Sequence, residues 1–142
     1  MELKFITSND KEWQKAIEYI QNCPWKDGKS LASKMINNYF NDWQRVLIVL
    51  KDNNIIAFCT FTKEDCIKDV NYRPFIGYIY VDEKYRGQHI GKNLYHYVVD
   101  FAKKNDCYNL TLNVWCLNEN AMKFYESLGL QPQKIGMETL LK

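Results

Sequence analysis

The chain is short, mixed in composition and nearly neutral: 142 residues, 46% hydrophobic and 25% charged, with a formal net charge of +2. These values predict a single globular domain spanning 1–142 with a substantial core, and the low charge argues against nucleic acid as a partner. No apolar run is long enough to cross a bilayer, and the N-terminus lacks a secretory leader pattern, so we expect a cytoplasmic protein with no membrane partner.

The first part of the chain predicts a strand followed by two helices. Residues 3–7 alternate between apolar and polar, which is typical of a short strand. Asn9 and Glu12 have the spacing of a capping box, which predicts the start of a helix. A second helix is expected from about Ser30 to Phe40, because its apolar residues recur at helical spacing.

The rest of the chain predicts a mixed sheet. Residues 63–74 are polar, charged and closed by a proline, so we expect them to be the least structured segment. The other patterns predict, in chain order, a hairpin of strands at 45–51 and 55–61, a strand at 75–81, a helix to about 105, a strand at 109–115, a helix from Asn118 to Gly129 and a last strand at 135–141.

The predicted order, β-α-α-β-β-β-α-β-α-β, mixes hairpins with right-handed crossovers. It predicts an α/β (α+β) fold with a central mixed sheet of about six to seven strands and helices on both faces.

The five cysteines and two histidines predict no metal site. The cysteines include no CxxC pair, and His89 and His96 lack the spacing of zinc ligands. We expect reduced thiols, with Cys59 and Cys116 as small core residues, because both lie in or beside apolar runs.

The stretch from Val81 to Lys92 joins a predicted strand to a predicted helix through a loop with two glycines. Backbone N–H groups at a helix N-terminus favour anions, and Gly87 and Gly91 let the backbone approach a ligand. The glycines enclose only three residues, one fewer than a P-loop requires, and Asn93 replaces the hydroxyl residue that holds magnesium. The dinucleotide fingerprint fails as well, since it needs a third glycine. The loop therefore predicts a phosphate site of another kind.

Two motifs in the chain resemble those of the GNAT superfamily of N-acetyltransferases, in its small, single-domain bacterial form. Residues 85–92 resemble its pyrophosphate motif, Arg/Gln-x-x-Gly-x-Gly/Ala, and residues 118–129 resemble its second coenzyme A motif. The resemblance covers the chain from about Arg45 onward. It implies an acyltransferase that uses acetyl-CoA as acetyl donor, needs no metal, and acetylates a primary amine by direct attack in a ternary complex.

The resemblance also implies roles for individual residues. The splayed strand whose backbone pairs with the pantetheine arm corresponds to Ile79, Tyr80 and Val81. Asn118 matches an asparagine that hydrogen-bonds the same arm, and Tyr125 matches the tyrosine that protonates the departing thiolate. The cradle for the pyrophosphate corresponds to Arg86, Gly87, Gln88, His89, Ile90, Gly91 and Lys92.

Two positions depart from the family pattern. His89 replaces the first glycine of the motif; because its backbone N–H survives and a position entering a helix does not require a positive φ, we expect the cradle to persist. Asn113 stands where some members carry a glutamate base, and an amide cannot accept the amine's proton. The base is thus unassigned, and a catalytically degenerate sensor or scaffold that binds acyl-CoA is the alternative function.

The acceptor, a small-molecule or peptide amine, has no portable sequence code. The segments that form the acceptor wall in this superfamily are flanked by aromatic residues, which would suit an amine with a ring or apolar body. These are Trp25, Tyr39, Trp43, Tyr72 and Phe75, joined by Tyr78 and Tyr80 on one sheet face. The sequence is compatible with a monomer or a homodimer.

Overall fold

A computed structural model of the chain describes residues 1–25, 27–37, 45–66 and 71–142. They form one mixed sheet of five strands in the order β1-β2-β3-β4-β5. The elements are β1 (Glu2–Ile6), α1 (Trp13–Asn22), α2 (Gly28–Ile36), β2 (Arg45–Lys51), β3 (Asn54–Cys66), β4 (Asn71–Val81), α3 (Ile90–Lys104), β5 (Thr111–Leu112) and α4 (Glu119–Ser127). The predicted α/β class and the element order up to α4 are confirmed, while the strand count of six to seven was too high.

The sheet has a hydrophobic core on each face, and β2 serves both. Val46, Ile48 and Leu50 pack with α1 and α2, in what we call the α1/α2-side core. Leu47 and Val49 point the other way and pack with α3, in the α3-side core. A strand covered on both faces must be apolar at successive positions, which explains the unbroken apolar run of β2. The prediction of helices on both faces is confirmed.

A β-bulge at Gly77 changes which face of the sheet the side chains of β4 point to. Thr60 of β3 lies opposite Tyr78, but the next residue, Phe61, lies opposite Ile76, so Gly77 is the extra residue. A Cβ on Gly77 would lie 2.9 Å from the Thr60 hydroxyl oxygen. Residues two apart normally share a face. Here Ile76 belongs to the α3-side core and Tyr78 packs on the α1/α2-side core.

Several predicted strand limits were wrong. β3 and β4 extend through most of 63–74, and residues 67–70 lie outside the described residues. β5 has two residues rather than the predicted seven. Residues 131–142 form no strand, and the apolar side chains Ile135, Met137, Leu140 and Leu141 are 80–93% exposed. Alternation favours a strand only where a neighbouring strand completes the hydrogen bonds, and no described strand lies beside this tail.

The predicted helix starts need correction as well. The capping box was wrong: Glu12 makes no capping hydrogen bond, because its carboxylate accepts one from Lys4 Nζ on β1 at 3.0 Å. The turn before α1 is instead closed by Asp10 Oδ2, which accepts from the Thr7 N–H at 2.7 Å. α2 begins two residues before Ser30, and the end predicted at Phe40 lies outside the described residues.

Of the two cysteines predicted to be core residues, Cys59 is fully buried, but Cys116 is exposed in a turn beyond β5. No group of three or more metal-ligating side chains occurs within the described residues. Among the helices described, none is both long and apolar enough to cross a membrane.

Candidate active site

β4 loses one of its two neighbours halfway along its length. Parallel pairing joins Phe75 to Thr111 and Ile76 to Leu112, and then stops. Beyond that point β3 still pairs with β4 on one side, up to Val81, but no described strand lies on the other side of residues 77–81. An open strand edge presents backbone donors and acceptors that need partners. The predicted pantetheine-pairing residues, Ile79 to Val81, lie on this edge.

The loop after β4 brings the backbone of residues 86–90 to the surface beside that edge. Asp82 Oδ1 accepts a hydrogen bond from the Lys84 N–H at 3.1 Å, which caps a short 3-10 helix at Glu83–Tyr85. Gly87 follows with φ +81, and α3 begins at Ile90, which is buried and anchors the loop. Gln88 and Lys92 are exposed. The arrangement leaves a glycine turn directly before a helix N-terminus, which is the geometry that favours anions.

His89 adopts the left-handed conformation, with φ +64 and ψ +18. The expectation that this position needs no positive φ was therefore wrong. A left-handed residue with a Cβ crowds the neighbouring carbonyl, at a cost of about 1–2 kcal/mol, which glycine avoids. This positive φ explains why the family motif has glycine at the position that His89 occupies here. His89 adopts this conformation despite the strain.

Arg86 folds back over the end of β4. Its Nε donates to the Val81 carbonyl oxygen at 3.0 Å, and its Cζ lies 5.7 Å from the centre of the Tyr80 ring. The guanidinium group therefore lies between the open edge of β4 and the loop, where a ligand spanning the two would meet its charge.

Helix α4 packs against the start of α3, where Phe124 lies beside Gly91. Asn118 caps the helix by accepting a hydrogen bond from the Ala121 N–H at 3.1 Å through Oδ1, as its position before the helix predicts. Gly129, with φ +96, follows the helix end as predicted. Within the described residues, the Nδ2 group of Asn118 has no partner, so it is a donor available to a ligand.

Tyr125 lies on the inward face of α4. Burial raises the pKa of Tyr125 to about 12, with smaller contributions from Cys59 and Tyr78. Those two neighbours lie in the middle of β3 and β4, next to the bulge, so the phenol lies near the point where β4 and β5 part. A phenol with a raised pKa stays protonated at neutral pH, which suits a proton donor and not a base.

An aromatic stack and a cavity lie on the α1/α2 side of the bulge. The indole of Trp25 stacks on the ring of Tyr78, with centroids 4.1 Å apart and planes 3° apart. Beside it, a cavity of about 310 Å³ is lined by residues of α2, β2, β3 and the segment before α2, among them Trp25, Asp27, Leu31, Lys34, Arg45 and Phe61. Trp25, one of the residues predicted to flank an acceptor wall, therefore lines a cavity in the structure. Tyr39 and Trp43 lie outside the described residues.

Some of this site was missed by sequence reasoning. The bulge had one signal, a glycine inside an apolar strand. Asp27 and Lys34, two of the charged residues that line the cavity, had no such signal, because charged residues in and beside helices are usually solvated. Asn113 is exposed directly after β5, so the position predicted for a base in some relatives carries no carboxylate here.

Comparisons with known proteins agree with this architecture. The family model described as "Acetyltransferase (GNAT) family" matches residues 11–130. The chain is 30% identical over 105 residues to N-alpha-acetyltransferase 30 of Schizosaccharomyces pombe, covering 73% of this chain and 70% of that protein. It is 29% identical over 96 residues to the Saccharomyces cerevisiae protein of the same name, where the match covers 64% of this chain but only 54% of the relative's length.

Among solved structures, the aminoglycoside antibiotic 6'-N-acetyltransferase of Acinetobacter haemolyticus superposes with a TM-score of 0.80. The match covers 100% of this chain and 99% of that one at 16% sequence identity. At this identity the likeness concerns the fold alone.

Proposed function

We propose that this chain, which belongs to the acetyltransferase (GNAT) family and is an acyltransferase of the N-acetyltransferase type, transfers the acetyl group of acetyl-CoA to a primary amine by direct attack in a ternary complex. The observation that carries the proposal is the open edge of β4 at residues 77–81, which leads directly into the glycine loop. We take residues 1–142 to act as one catalytic domain.

The residues present fit acetyl-CoA as the donor. Its pantetheine arm contains amides, which would pair with the backbone of Ile79, Tyr80 and Val81 as an added strand. Its pyrophosphate is an anion, which suits the N–H groups of residues 87–91 and the positive charges of Arg86 and Lys92. Asn118 Nδ2 adds a side-chain donor on the α4 side. In this proposal the strand edge and the loop bind successive parts of the donor, because the loop directly follows β4.

When bound, acetyl-CoA supplies an activated acyl group as a thioester. The N–H groups on the open edge of β4 are donors for the negative charge that develops on the acetyl oxygen during attack. Tyr125 donates its phenolic proton to the sulfur as the bond to the acetyl carbon breaks. A thiol with a pKa near ~8.5 leaves readily, so this acid accelerates the reaction without being indispensable.

The acceptor must be unprotonated when it attacks, and the pKa of its ammonium form is about 8 for a peptide α-amine and about 10 for an alkyl amine. Asn113 cannot accept the ammonium proton. We propose that water in the open cavity beside Trp25 carries the proton to solvent. This route needs no dedicated base, and it leaves the rate dependent on the fraction of free amine in solution.

The names of the two curated relatives favour an α-amine at the N-terminus of a polypeptide as the acceptor. The aminoglycoside enzyme shares only the fold, so its name carries less weight for the acceptor.

The test is turnover with a panel of amines. The protein is incubated with acetyl-CoA and, separately, a tetrapeptide, an aminoglycoside, spermidine or a free amino acid, and both CoA and acetylated amine are quantified by mass spectrometry. We expect CoA release that depends on one class of amine. Calorimetric binding of CoA without acetylation of any amine would overturn acetyl transfer and favour a binding protein instead.

A further inference from the structure

We propose that the cavity beside Trp25 selects a peptide acceptor whose first residue is apolar and whose second or third residue carries a carboxylate. This inference rests on the proposed acetyl transfer and names the acceptor class for it.

The cavity lies beside the point where β4 and β5 part. Thr60, one of its lining residues, lies directly against Gly77, where β4 and β5 part. Trp25, another lining residue, stacks on Tyr78, and Tyr78 makes a small contribution to the raised pKa of Tyr125. An amine held next to Trp25 would thus lie close to the group assigned as the acid.

The charges that line the cavity are separated along α2. Asp27, Ser30, Leu31 and Lys34 have the i, i+3, i+4, i+7 spacing of a single helix face, and all four line the cavity. Asp27 immediately precedes the helix, two residues after Trp25, and Lys34 lies in its last turn. Seven residues at 1.5 Å per residue separate the two by ~10 Å along the helix axis. Arg45 lines the cavity as well and adds a second cation.

This polarity matches a short peptide. An incoming ammonium group is attracted to Asp27 at the Trp25 end, and its first side chain meets the apolar walls of Leu31 and Phe61. An extended peptide advances ~3.3–3.6 Å per residue, so a carboxylate on the second or third residue reaches ~10 Å from the amine. That distance places it beside Lys34.

Other acceptor classes fit less well. A polyamine or an aminoglycoside would bring further ammonium groups beside Lys34 and Arg45, where like charges repel. In a free α-amino acid the amine and the α-carboxylate are bonded to the same carbon. They are therefore much closer together than ~10 Å and cannot reach both ends of the cavity.

The experiment compares three tetrapeptides that begin with methionine and continue with Asp-Glu, Asn-Gln or Lys-Lys, with free methionine and spermidine as further acceptors. We expect kcat/KM to be about five-fold higher for the acidic peptide than for its amide match, the upper range for a solvent-exposed ion pair. Lys34→Glu should abolish or invert that ratio. Lys29→Glu is the matched control, because Lys29 is exposed on the same helix and does not line the cavity; the ratio should persist.

The outcomes separate the two proposals. Acetylation of the acidic and amide peptides at equal rates, a ratio unchanged in Lys34→Glu, or preferred acetylation of free methionine or spermidine would overturn the acceptor proposal while leaving acetyl transfer intact. No acetylation of any acceptor would overturn both.

Discussion

The Phe124 ring occupies the space beside Gly91: a Cβ on Gly91 would lie 3.4 Å from Phe124 Cζ, with Val81 and Ile79 slightly farther away. This contact joins the two motifs that resemble the family, since Gly91 lies in the first turn of α3 and Phe124 lies on α4. A small residue at position 91 therefore serves the approach of α4 as much as that of a phosphate.

The first prediction concerns this contact. Gly91→Ala should be tolerated, because 3.4 Å is an ordinary contact and alanine is the better helix former. Gly91→Leu should displace Phe124, lower the free energy of unfolding by about 1–3 kcal/mol and raise KM for acetyl-CoA. Urea denaturation and steady-state kinetics measure both effects. Asn93→Leu, an exposed change two residues along the same helix, is the control. A Gly91→Leu protein of normal stability would contradict the packing role.

The second prediction follows from the left-handed φ of His89. Glycine at position 89 should be more stable than alanine by about 1 kcal/mol, because alanine retains the left-handed strain of His89 and glycine does not. The same pair at Gln88, which lacks a positive φ, should show no such advantage for glycine. Thermal or urea unfolding of the four variants is the measurement. Equal stability of His89→Gly and His89→Ala would argue against strain at this position.

The third prediction separates the two roles of Asn118. Asn118→Asp keeps the capping oxygen but loses the Nδ2 donor, so stability should be maintained while KM for acetyl-CoA rises. Asn118→Ala loses both, and its free energy of unfolding should fall by about 1 kcal/mol in addition. If Asn118→Asp keeps the wild-type KM, the asparagine is a helix cap and has no role with the donor.

The fourth prediction concerns the acid. Tyr125→Phe should lower kcat by roughly 10- to 100-fold with little change in KM for acetyl-CoA, because the phenol acts only as the thiolate departs. Phe124→Leu, next to it on α4, is a packing control and should act mainly on stability. An unchanged kcat in Tyr125→Phe would remove Tyr125 from the mechanism.

The fifth prediction is an alkaline loss of stability that involves Cys59. Burial raises the pKa of the Cys59 thiol to about 12, whereas a thiol in the unfolded chain ionises near ~8.5. The unfolded state therefore binds fewer protons between these values, and the contribution of Cys59 to stability falls as pH rises from about 8.5. Thermal unfolding midpoints from pH 8 to 11 should decline less steeply in Cys59→Ala than in wild type. The exposed Cys116→Ala should leave the slope unchanged, and equal slopes in all three proteins would contradict this assignment.

Local patterns predicted much of this fold because they act within a few residues. Three elements show this: α1 with its apolar stripe, β2 with its unbroken apolar run, and α4 with its N-terminal cap and the glycine that follows it. Each pattern involves residues close together in the chain, and all three elements are confirmed. The order of the two motifs also identified the family, since each requires its own strand–helix context.

Features that depend on distant partners were not predictable. The spacing of Glu12 fits a capping box, but in the structure its carboxylate accepts a hydrogen bond from Lys4 of β1 instead. The alternation of 109–115 predicts seven paired residues, but β5 leaves β4 after Leu112. The φ of His89 depends on how the loop meets α3, which residue type alone does not reveal. The roles of Asn118, Tyr125 and the loop residues with a donor remain predictions.

The bulge at Gly77 divides β4 into two parts. Side chains alternate between the two faces of the sheet within each part, but the alternation is offset by one residue from one part to the next. Deleting this single glycine would make Ile76 and Tyr78 consecutive, and regular alternation would keep them on the opposite faces that they already occupy. An insertion or deletion elsewhere in β4 would be costlier, because it would move a whole run of side chains to the wrong face. For directed evolution of the acceptor side, substitutions around the bulge are therefore safer than length changes in the rest of β4.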